Sequence, residues 1–369
     1  MPCDSLGVLR SLCGLLGTPP GARRGAHARA IGVAAFGLAL GAGAGLARAN
    51  DLLPLSDEFG DAASLSNWLR VHEVEQWNAD QLEIYDIDAT QPGRMVMMPY
   101  TVVWFQDWRG PFSFKEIADD FVVTIEVTAT GRDGSSVPQA LYSLGGVMIR
   151  TPRDITSATW TPGGENYVFL SLGHGNNGGT SWQFEVKTTV NSNSMLILSP
   201  APGAAAELQL ARLGEYVIAL RREPGQPWVV HRRYQRSDFP ATVQVGVVSY
   251  TDWFKAQVFA PFVHNGNVLD PPLPPGVTDP DPSRPFAPDL LATYDYVRFF
   301  RPTLPPELEG ADLTDQSQVP DSDLLAFLGE HANVPNPVPA LGTAASLTLF
   351  SLLAAAAALI FRTASRSTQ

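Results

Sequence analysis

The sequence has 369 residues, with 32 glycines, 31 prolines and only 17% charged side chains. This composition favours a turn-rich all-β protein over a helical one. The formal net charge of −12 at pH 7 argues against nucleic acid as a partner, because an acidic surface repels a phosphate backbone.

The first 49 residues have the features of a signal peptide. Arginines precede the uncharged apolar run Ile31–Leu46, and residues 47–49 match an A-x-A cleavage pattern. Both cysteines, Cys3 and Cys13, lie in this leader. The mature chain therefore has no thiol for a disulfide, a nucleophile or a thiolate metal site, which is ordinary for a protein exported by a bacterium.

Short runs with period-2 alternation, separated by Gly, Pro and Asn turns, predict many β-strands. In chain order these runs are Leu82–Ile87, Phe121–Val127, Gly145–Arg150, Tyr167–Leu172, Trp182–Lys187, Met195–Leu198, Tyr216–Arg221, Trp228–Arg232, Val243–Tyr250 and Tyr294–Phe300.

The runs Phe121–Val127 and Gly145–Arg150 are the clearest of the set. Alternation places Glu126 and Arg150 on the less apolar face of their strands. We expect these two side chains to share one face, where a ligand can reach them.

The C-terminal part changes in composition. Residues 304–338 are rich in Pro and Asp, which indicates a linker, with one short helix predicted at Ser322–Leu328. Residues 339–369 form a tail in which Leu341–Phe361 is uncharged and long enough to span a bilayer as a helix. Arginines follow it at once, so the preceding domain, residues 50–303, is expected outside the cytoplasm.

Several short motifs occur in the order found in one known superfamily. They are Asp57-Glu58-Phe59 with Trp68, Asp120-Phe121, Gly145–Arg150 (GGVMIR), Asn166-Tyr167-Val168 and Tyr294–Phe299 (YDYVRF).

By these motifs, residues 50–303 resemble the concanavalin A-like lectin/glucanase superfamily, and most closely its DUF1349 and laminin-G-like members. The resemblance implies an all-β jelly-roll sandwich of two antiparallel sheets, in which the concave sheet carries any ligand site. The glucanases of this superfamily carry an E-x-D-x-x-E strand. The nearest run here, residues 83–88, has a different spacing and comes too early in the fold.

The tail resembles PEP-CTERM sorting signals, which consist of a Pro motif, an apolar helix and arginines. The motif region is Val334-Pro335-Asn336-Pro337, with Asn where that family has Glu. The sequence is compatible with two fates of this tail, namely cleavage by a sorting peptidase or permanent anchoring in the membrane.

A polar sheet face is the first candidate site, because sugar hydroxyls bind to charged side chains and sugar C–H faces bind to aromatic rings. The alternative for the charged residues is a solvated face with cross-strand ion pairs. The candidate residues are Glu126, Arg150, Gln183, Glu185, Lys187, Arg221, Trp104, Trp108 and Trp253.

Two further chemistries are considered. If the face is catalytic, Glu126 and Glu185 are the acid/base and nucleophile. Their carboxyl groups must then lie about 5–5.5 Å apart for a retaining enzyme or about 6.5–9.5 Å apart for an inverting one.

Calcium is the candidate cofactor, held by the carboxylate oxygens of Asp57, Glu58 and Asp295. These residues are expected to meet because the first and last strands of such sandwiches often pair.

The sequence thus predicts a non-catalytic module that binds a glycan or polysaccharide and is displayed on a bacterial cell envelope. One alternative is a glycoside hydrolase or polysaccharide lyase that acts on extracellular glycans. The other is a structural protein of the envelope or matrix.

Overall fold

The computed structural model describes residues 51–329. The predicted signal peptide, the membrane span Leu341–Phe361 and the sorting motif lie outside the described residues. Within residues 51–329, no helix has the length and apolar character needed to cross a membrane.

Strands dominate this part of the chain. They are β1 (Leu69–Arg70), β2 (Leu82–Ile87), β3 (Met95–Pro99), β4 (Phe112–Ala118), β5 (Phe121–Thr130), β6 (Ser143–Arg150), β7 (Tyr167–His174), β8 (Gln183–Val190), β9 (Asn193–Pro200), β10 (Ala205–Leu213), β11 (Tyr216–Arg222), β12 (Val229–Gln235), β13 (Thr242–Tyr250) and β14 (Leu291–Phe300).

The helices are short. They are α1 (Val71–Val74), α2 (Trp253–Ala256), α3 (Pro261–Asn265) and α4 (Asp321–Leu328), with 3₁₀ turns at Leu53–Leu55, Ala62–Asn67 and Pro306–Leu308.

The strands form two seven-stranded antiparallel sheets that pack as a jelly-roll-like sandwich. Sheet 1 has the order β1-β4-β13-β6-β7-β8-β9, and sheet 2 has the order β12-β11-β10-β5-β14-β3-β2. The main core lies between them and is built from alternate residues of each strand, such as Val147 and Ile149 of β6 and Val123 and Ile125 of β5. The all-β fold with two antiparallel sheets agrees with the sequence prediction.

The strands β5 and β6 belong to different sheets, which corrects the prediction for Glu126 and Arg150. Glu126 alternates with the core residues of sheet 2, and Arg150 alternates with those of sheet 1. Because each points away from the core of its own sheet, the two side chains lie on opposite outer faces of the sandwich.

Part of the predicted linker is folded against sheet 2. Helix α4 coincides with the predicted helix, and its residues Leu324 and Leu328 are fully buried. They pack with Leu308 and Leu313 on the outer face of sheet 2, beside Val122 of β5. Residues 304–329 are therefore part of the domain, because this face of sheet 2 is apolar and needs a cover.

Candidate functional site

The outer face of sheet 1 carries a pocket of about 140 Å³, which we call the aromatic pocket. It lies among strands β8, β9 and β13, the segment before β4 and the start of α2. The lining residues are Val103, Trp104, Phe105, Tyr142, Lys187, Leu196, Tyr250 and Trp253.

Strand alternation places the polar floor of this pocket. In β8, Phe184 and Val186 point into the main core, so Glu185 and Lys187 point to the outer face. Leu196 of β9 is the cross-strand neighbour of Lys187. The floor is thus built on the ladder of sheet 1, where side-chain positions are well fixed.

The ammonium of Lys187 has two hydrogen-bond acceptors. Its Nζ lies 2.8 Å from Glu185 Oε1 and donates to the carbonyl oxygen of Trp104 at 2.6 Å. The hydroxyl of Tyr250 donates to Glu185 Oε1 at 3.3 Å. All these groups are buried, and burial lowers the pKa of Lys187 and raises that of Tyr250 well above its usual value.

One carboxylate oxygen in the floor of the pocket lacks a hydrogen-bond donor among the described residues. Glu185 Oε2 is buried and has no hydrogen-bond partner within residues 51–329. A buried carboxylate oxygen without a donor is unfavourable, because burial removes its hydrogen bonds to water and no protein group replaces them.

The wall of the pocket is a group of half-buried aromatic rings around Trp253. Its ring centroid lies 5.2 Å from Phe105, 6.2 Å from Trp108 and 6.2 Å from Tyr142, all in edge-to-face geometry. The Tyr142 hydroxyl and the Trp253 indole N–H make no hydrogen bond within residues 51–329. They are polar tips on an otherwise apolar wall.

Local backbone geometry fixes Trp253. Asp252, just before it, has the left-handed φ of 65° and caps α2, where its side chain accepts from the backbone N–H of Lys255. Its Oδ2 accepts from the Thr101 hydroxyl at 2.7 Å and from the Ala287 N–H at 2.9 Å. These bonds hold the start of α2 against two other segments, so the wall is preorganised.

Arg150 does not line the pocket. It is fully buried beside Trp104 and forms ion pairs with Glu75 at 2.6 Å and Glu165 at 2.8 Å, while it donates to Gln244 at 2.9 Å. These carboxylates raise the pKa of Arg150, and the pKa of Glu165 falls to about 2. The cluster supports the loop that carries Trp104, whose ring lies 5.8 Å from the guanidinium carbon of Arg150.

The other predicted ligand residues are dispersed. Glu126 lies on the outer face of sheet 2, where burial and, to a smaller degree, the neighbouring carboxylates of Asp295 and Glu207 raise its pKa. Arg221 lies over the ring of Phe184 at 4.4 Å, and Gln183 accepts from the backbone N–H of Asn176 at 2.9 Å.

The three predicted tryptophans differ in exposure. Trp104, a predicted ligand residue, is fully buried because it packs on Tyr167 and donates to the carbonyl of Pro111. Trp108 and Trp253 are half-buried. Of the predicted site residues, the pocket brings together Lys187, Trp104 and Trp253, with Glu185 beneath Lys187.

Tyr142, Leu196 and Tyr250 were not predicted. They lie on three separate segments, so no local pattern connects them. The only signal is the aromatic character of Tyr142 beside strand β6 and of Tyr250 at the end of β13.

The first strand of the domain, β1, pairs with β4 and not with the last strand, but the segment before it reaches β14 through one isolated bridge. Asp57 and Val297 exchange backbone hydrogen bonds of 2.8 Å in both directions. The other two predicted calcium ligands form ion pairs with arginines. Glu58 pairs with Arg298 at 2.7 Å, and Asp295 pairs with Arg94 at 2.8 Å. In the described part of the chain no group of three or more His, Cys, Asp or Glu is placed to hold a metal, so calcium stays a prediction without geometric support.

No family model and no curated protein matches the sequence. Solved structures show a similar arrangement of strands. A protein of unknown function from Saccharomyces cerevisiae has 12% identity and a TM-score of 0.43, with 65% of this chain and 99% of that chain covered. The GH43B protein of a Bacteroides ovatus xyloglucan locus has 12% identity and a TM-score of 0.41, with 67% and 39% covered. The Bacillus licheniformis β-glucanase has 10% identity and a TM-score of 0.34, with 63% and 92% covered.

Proposed function

We propose that the aromatic pocket binds one ring of a neutral sugar, at the end or along the side of a glycan, without catalysing its cleavage. The observation that supports this function is the combination of half-buried aromatic rings on the wall with the buried ammonium of Lys187 on the floor. A sugar ring has both an apolar C–H face and polar hydroxyls, so it matches both surfaces.

The size of the pocket supports a single ring. A protein cavity of about 150 Å³ holds one molecule of benzene, and this pocket has about 140 Å³. Longer segments of a glycan would remain outside the pocket. The Tyr142 hydroxyl and the Trp253 indole N–H belong to lining residues of the pocket and would then hydrogen-bond to hydroxyls of the bound sugar.

Charge favours a neutral ligand. The ammonium of Lys187 is already paired with Glu185 at 2.8 Å, so it offers little attraction to an acidic sugar. The net charge of −12 repels polyanions over longer distances.

Glu126 and Glu185, the carboxylate pair predicted for the hydrolase alternative, do not lie together. Glu126 lies on the outer face of sheet 2 and Glu185 on the outer face of sheet 1. Packed sheets are about 10 Å apart before side chains on their outer faces are added, so the two groups are too far apart for either hydrolytic geometry.

Display on a bacterial envelope remains part of the proposal, and the path of the chain is compatible with it. Helix α4 ends at Gly329 beside Trp228, on the outer face of sheet 2. The aromatic pocket is on the outer face of sheet 1. The described part of the chain therefore ends on the face opposite the pocket, as expected if a membrane anchor that follows leaves the pocket accessible.

Ligand-observed NMR with a panel of neutral methyl glycosides, together with polysaccharide pull-down, tests this function on the purified full chain. Trp253→Ala removes the centre of the aromatic wall, so we expect affinity for the bound sugar to fall about ten-fold or more. Trp160→Ala is the matched control, because Trp160 is also half-buried but contacts Trp77 and Phe262 instead of the pocket. Binding to no sugar in the panel, or equal binding by both variants, would overturn the proposal.

A further inference from the structure

Lys187 is the one charged side chain that lines the aromatic pocket, and only 2% of its surface is exposed. We propose that Lys187 is a nucleophilic amine that forms an imine with aldehydes whose body fits the pocket. This activity goes beyond the proposed binding of sugars, and it requires only the pocket, the amine and its carboxylate neighbour.

The surroundings of Lys187 disfavour its charged form. Its Nζ lies 4.7 Å from the ring centroid of Phe169 and 5.4 Å from those of Phe105 and Tyr250. Rings stabilise a cation far less than water does, and burial accordingly lowers the pKa of Lys187. A desolvated lysine in an apolar pocket is one of the established ways in which proteins make a nucleophilic amine.

Glu185 is placed to take the proton that must leave this lysine. Its Oε1 lies 2.8 Å from Lys187 Nζ, and its Oε2 is buried with no partner within residues 51–329. Transfer of one proton from the ammonium to the carboxylate neutralises both buried charges, that of Lys187 and that of Glu185. Glu185 is therefore the acceptor of this proton in the proposed reaction, because its Oε1 already lies within hydrogen-bond distance of the amine.

The reaction is balanced without any further reagent. The amine attacks the aldehyde carbon, an N–C bond forms, and the carbonyl oxygen takes the proton held by Glu185. One N–H proton of this adduct then passes to the hydroxyl group by way of Glu185, the C–O bond breaks, and the departure of water leaves a protonated imine beside the Glu185 carboxylate. One ammonium and one aldehyde have become one iminium ion and one water, so the charge of the pocket is unchanged.

The pocket also selects the aldehyde. A volume of about 140 Å³ admits a body of one ring, and the aromatic wall favours an apolar ring over an acyclic polar chain. The expected substrate class is therefore a small aldehyde on a single aromatic or alicyclic ring.

The chain provides its own internal controls, because Lys115, Lys187 and Lys255 are its only lysines. Lys115 is half-buried outside the pocket and donates to the carbonyl of Asn67. Lys255 donates to both carboxylate oxygens of Asp279 at 2.6 Å, and to the carbonyl of Asp281. The amine of Lys255 is thus surrounded by three hydrogen-bond acceptors outside the pocket.

The test treats the purified full chain with benzaldehyde and cyanoborohydride at pH 7, and peptide mass spectrometry measures reductive alkylation at each lysine. We expect Lys187 to be modified at least about ten-fold faster than Lys115 and Lys255. The preference should disappear with a four-ring aldehyde, which the pocket excludes, and in wild-type protein unfolded by guanidinium. Modification of Lys187 at or below the rate of Lys115 in folded protein would overturn the proposal.

Lys187→Arg identifies the modified site, since its label should be lost while the other two lysines react as before. The unfolded wild-type control does not depend on folding of this variant. Sugar binding is measured separately by NMR without aldehyde. Labelling without sugar binding contradicts only the proposed function, and sugar binding without selective labelling contradicts only the imine chemistry.

Discussion

Arg150 is the residue whose loss we expect to destabilise the domain most. It is fully buried, and Glu75 and Glu165, with which it pairs, are 0% and 1% exposed. Arg150→Met keeps an unbranched apolar stem but removes the guanidinium group, with its charge and its hydrogen bonds. The two carboxylates then stay buried with fewer cationic partners.

The remaining contacts limit the effect. Glu165 still pairs with Arg153 at 2.7 Å, and Glu75 still lies 3.8 Å from Arg109 and accepts from the Trp77 indole at 3.0 Å. Removing one partner of a buried ion pair costs about 3–5 kcal/mol. Because a domain has about 5–15 kcal/mol of stability in total, the variant should lose a large fraction of its free energy of unfolding.

The effect should depend on pH. The pKa of Glu165 is about 2 in the folded protein, below its ordinary value of 4.5, because Arg150 and Arg153 stabilise the carboxylate. A depressed carboxyl pKa contributes stability above pH 4.5 and loses that contribution as pH falls towards 2. The difference between wild type and Arg150→Met should therefore be largest at neutral pH and smaller at pH 3.

Urea unfolding followed by tryptophan fluorescence at pH 7 and pH 3 measures both quantities. Arg284→Met is the matched control, because the Arg284–Asp281 pair is about one-third exposed on each side and such pairs contribute about 0–1 kcal/mol. A loss below about 1 kcal/mol at pH 7, or an undiminished difference at pH 3, would refute the reasoning.

Three other variants test the fold by the same unfolding assay. The pKa of His264 is about 4 because it is buried neutral, and its Nε2 accepts from the Val103 N–H. Unfolding takes up a proton between pH 6.5 and 4, so the free energy of unfolding should fall by about 3 kcal/mol as pH falls through this window. An equally steep dependence of that free energy on pH in His264→Gln would contradict this. Gly246→Ala places a Cβ 2.0 Å from the Ser113 carbonyl oxygen and should cost about 1–3 kcal/mol or more, whereas Gly60→Ala, with nothing within 4 Å, should be nearly neutral. Leu324→Ala should cost about 2–5 kcal/mol if residues 304–329 belong to the domain, and a change near zero would instead favour a loose linker.

Much of the fold was predictable from the sequence. Ten strands were found by alternation, and Leu82–Ile87 has the predicted bounds of β2. The alternation does not predict strands β1, β3, β4 and β10. In β4, Phe112 and Phe114 face outwards yet are buried under the segment that carries Trp104. Burial on both faces weakens the apolar–polar alternation that marks a half-exposed strand.

The candidate site was predictable only in part. Glu185 and Lys187 were identified because they alternate with core residues of one strand, which is local information. The pairing of Glu126 with Arg150 was wrong because the sequence does not say which sheet each strand joins. Burial of Trp104 follows from packing on Tyr167, more than sixty residues away in the chain.

The sequence by itself determined the all-β class, most of the strands and the inward or outward direction of their side chains. These properties depend on contacts between near neighbours along one strand. Tertiary structure decided which strands share a sheet and which outward faces are covered, by Trp104 on sheet 1 and by α4 on sheet 2. It also placed Tyr142, Tyr250 and Trp253 around Lys187, because only long-range packing brings separate segments to one pocket.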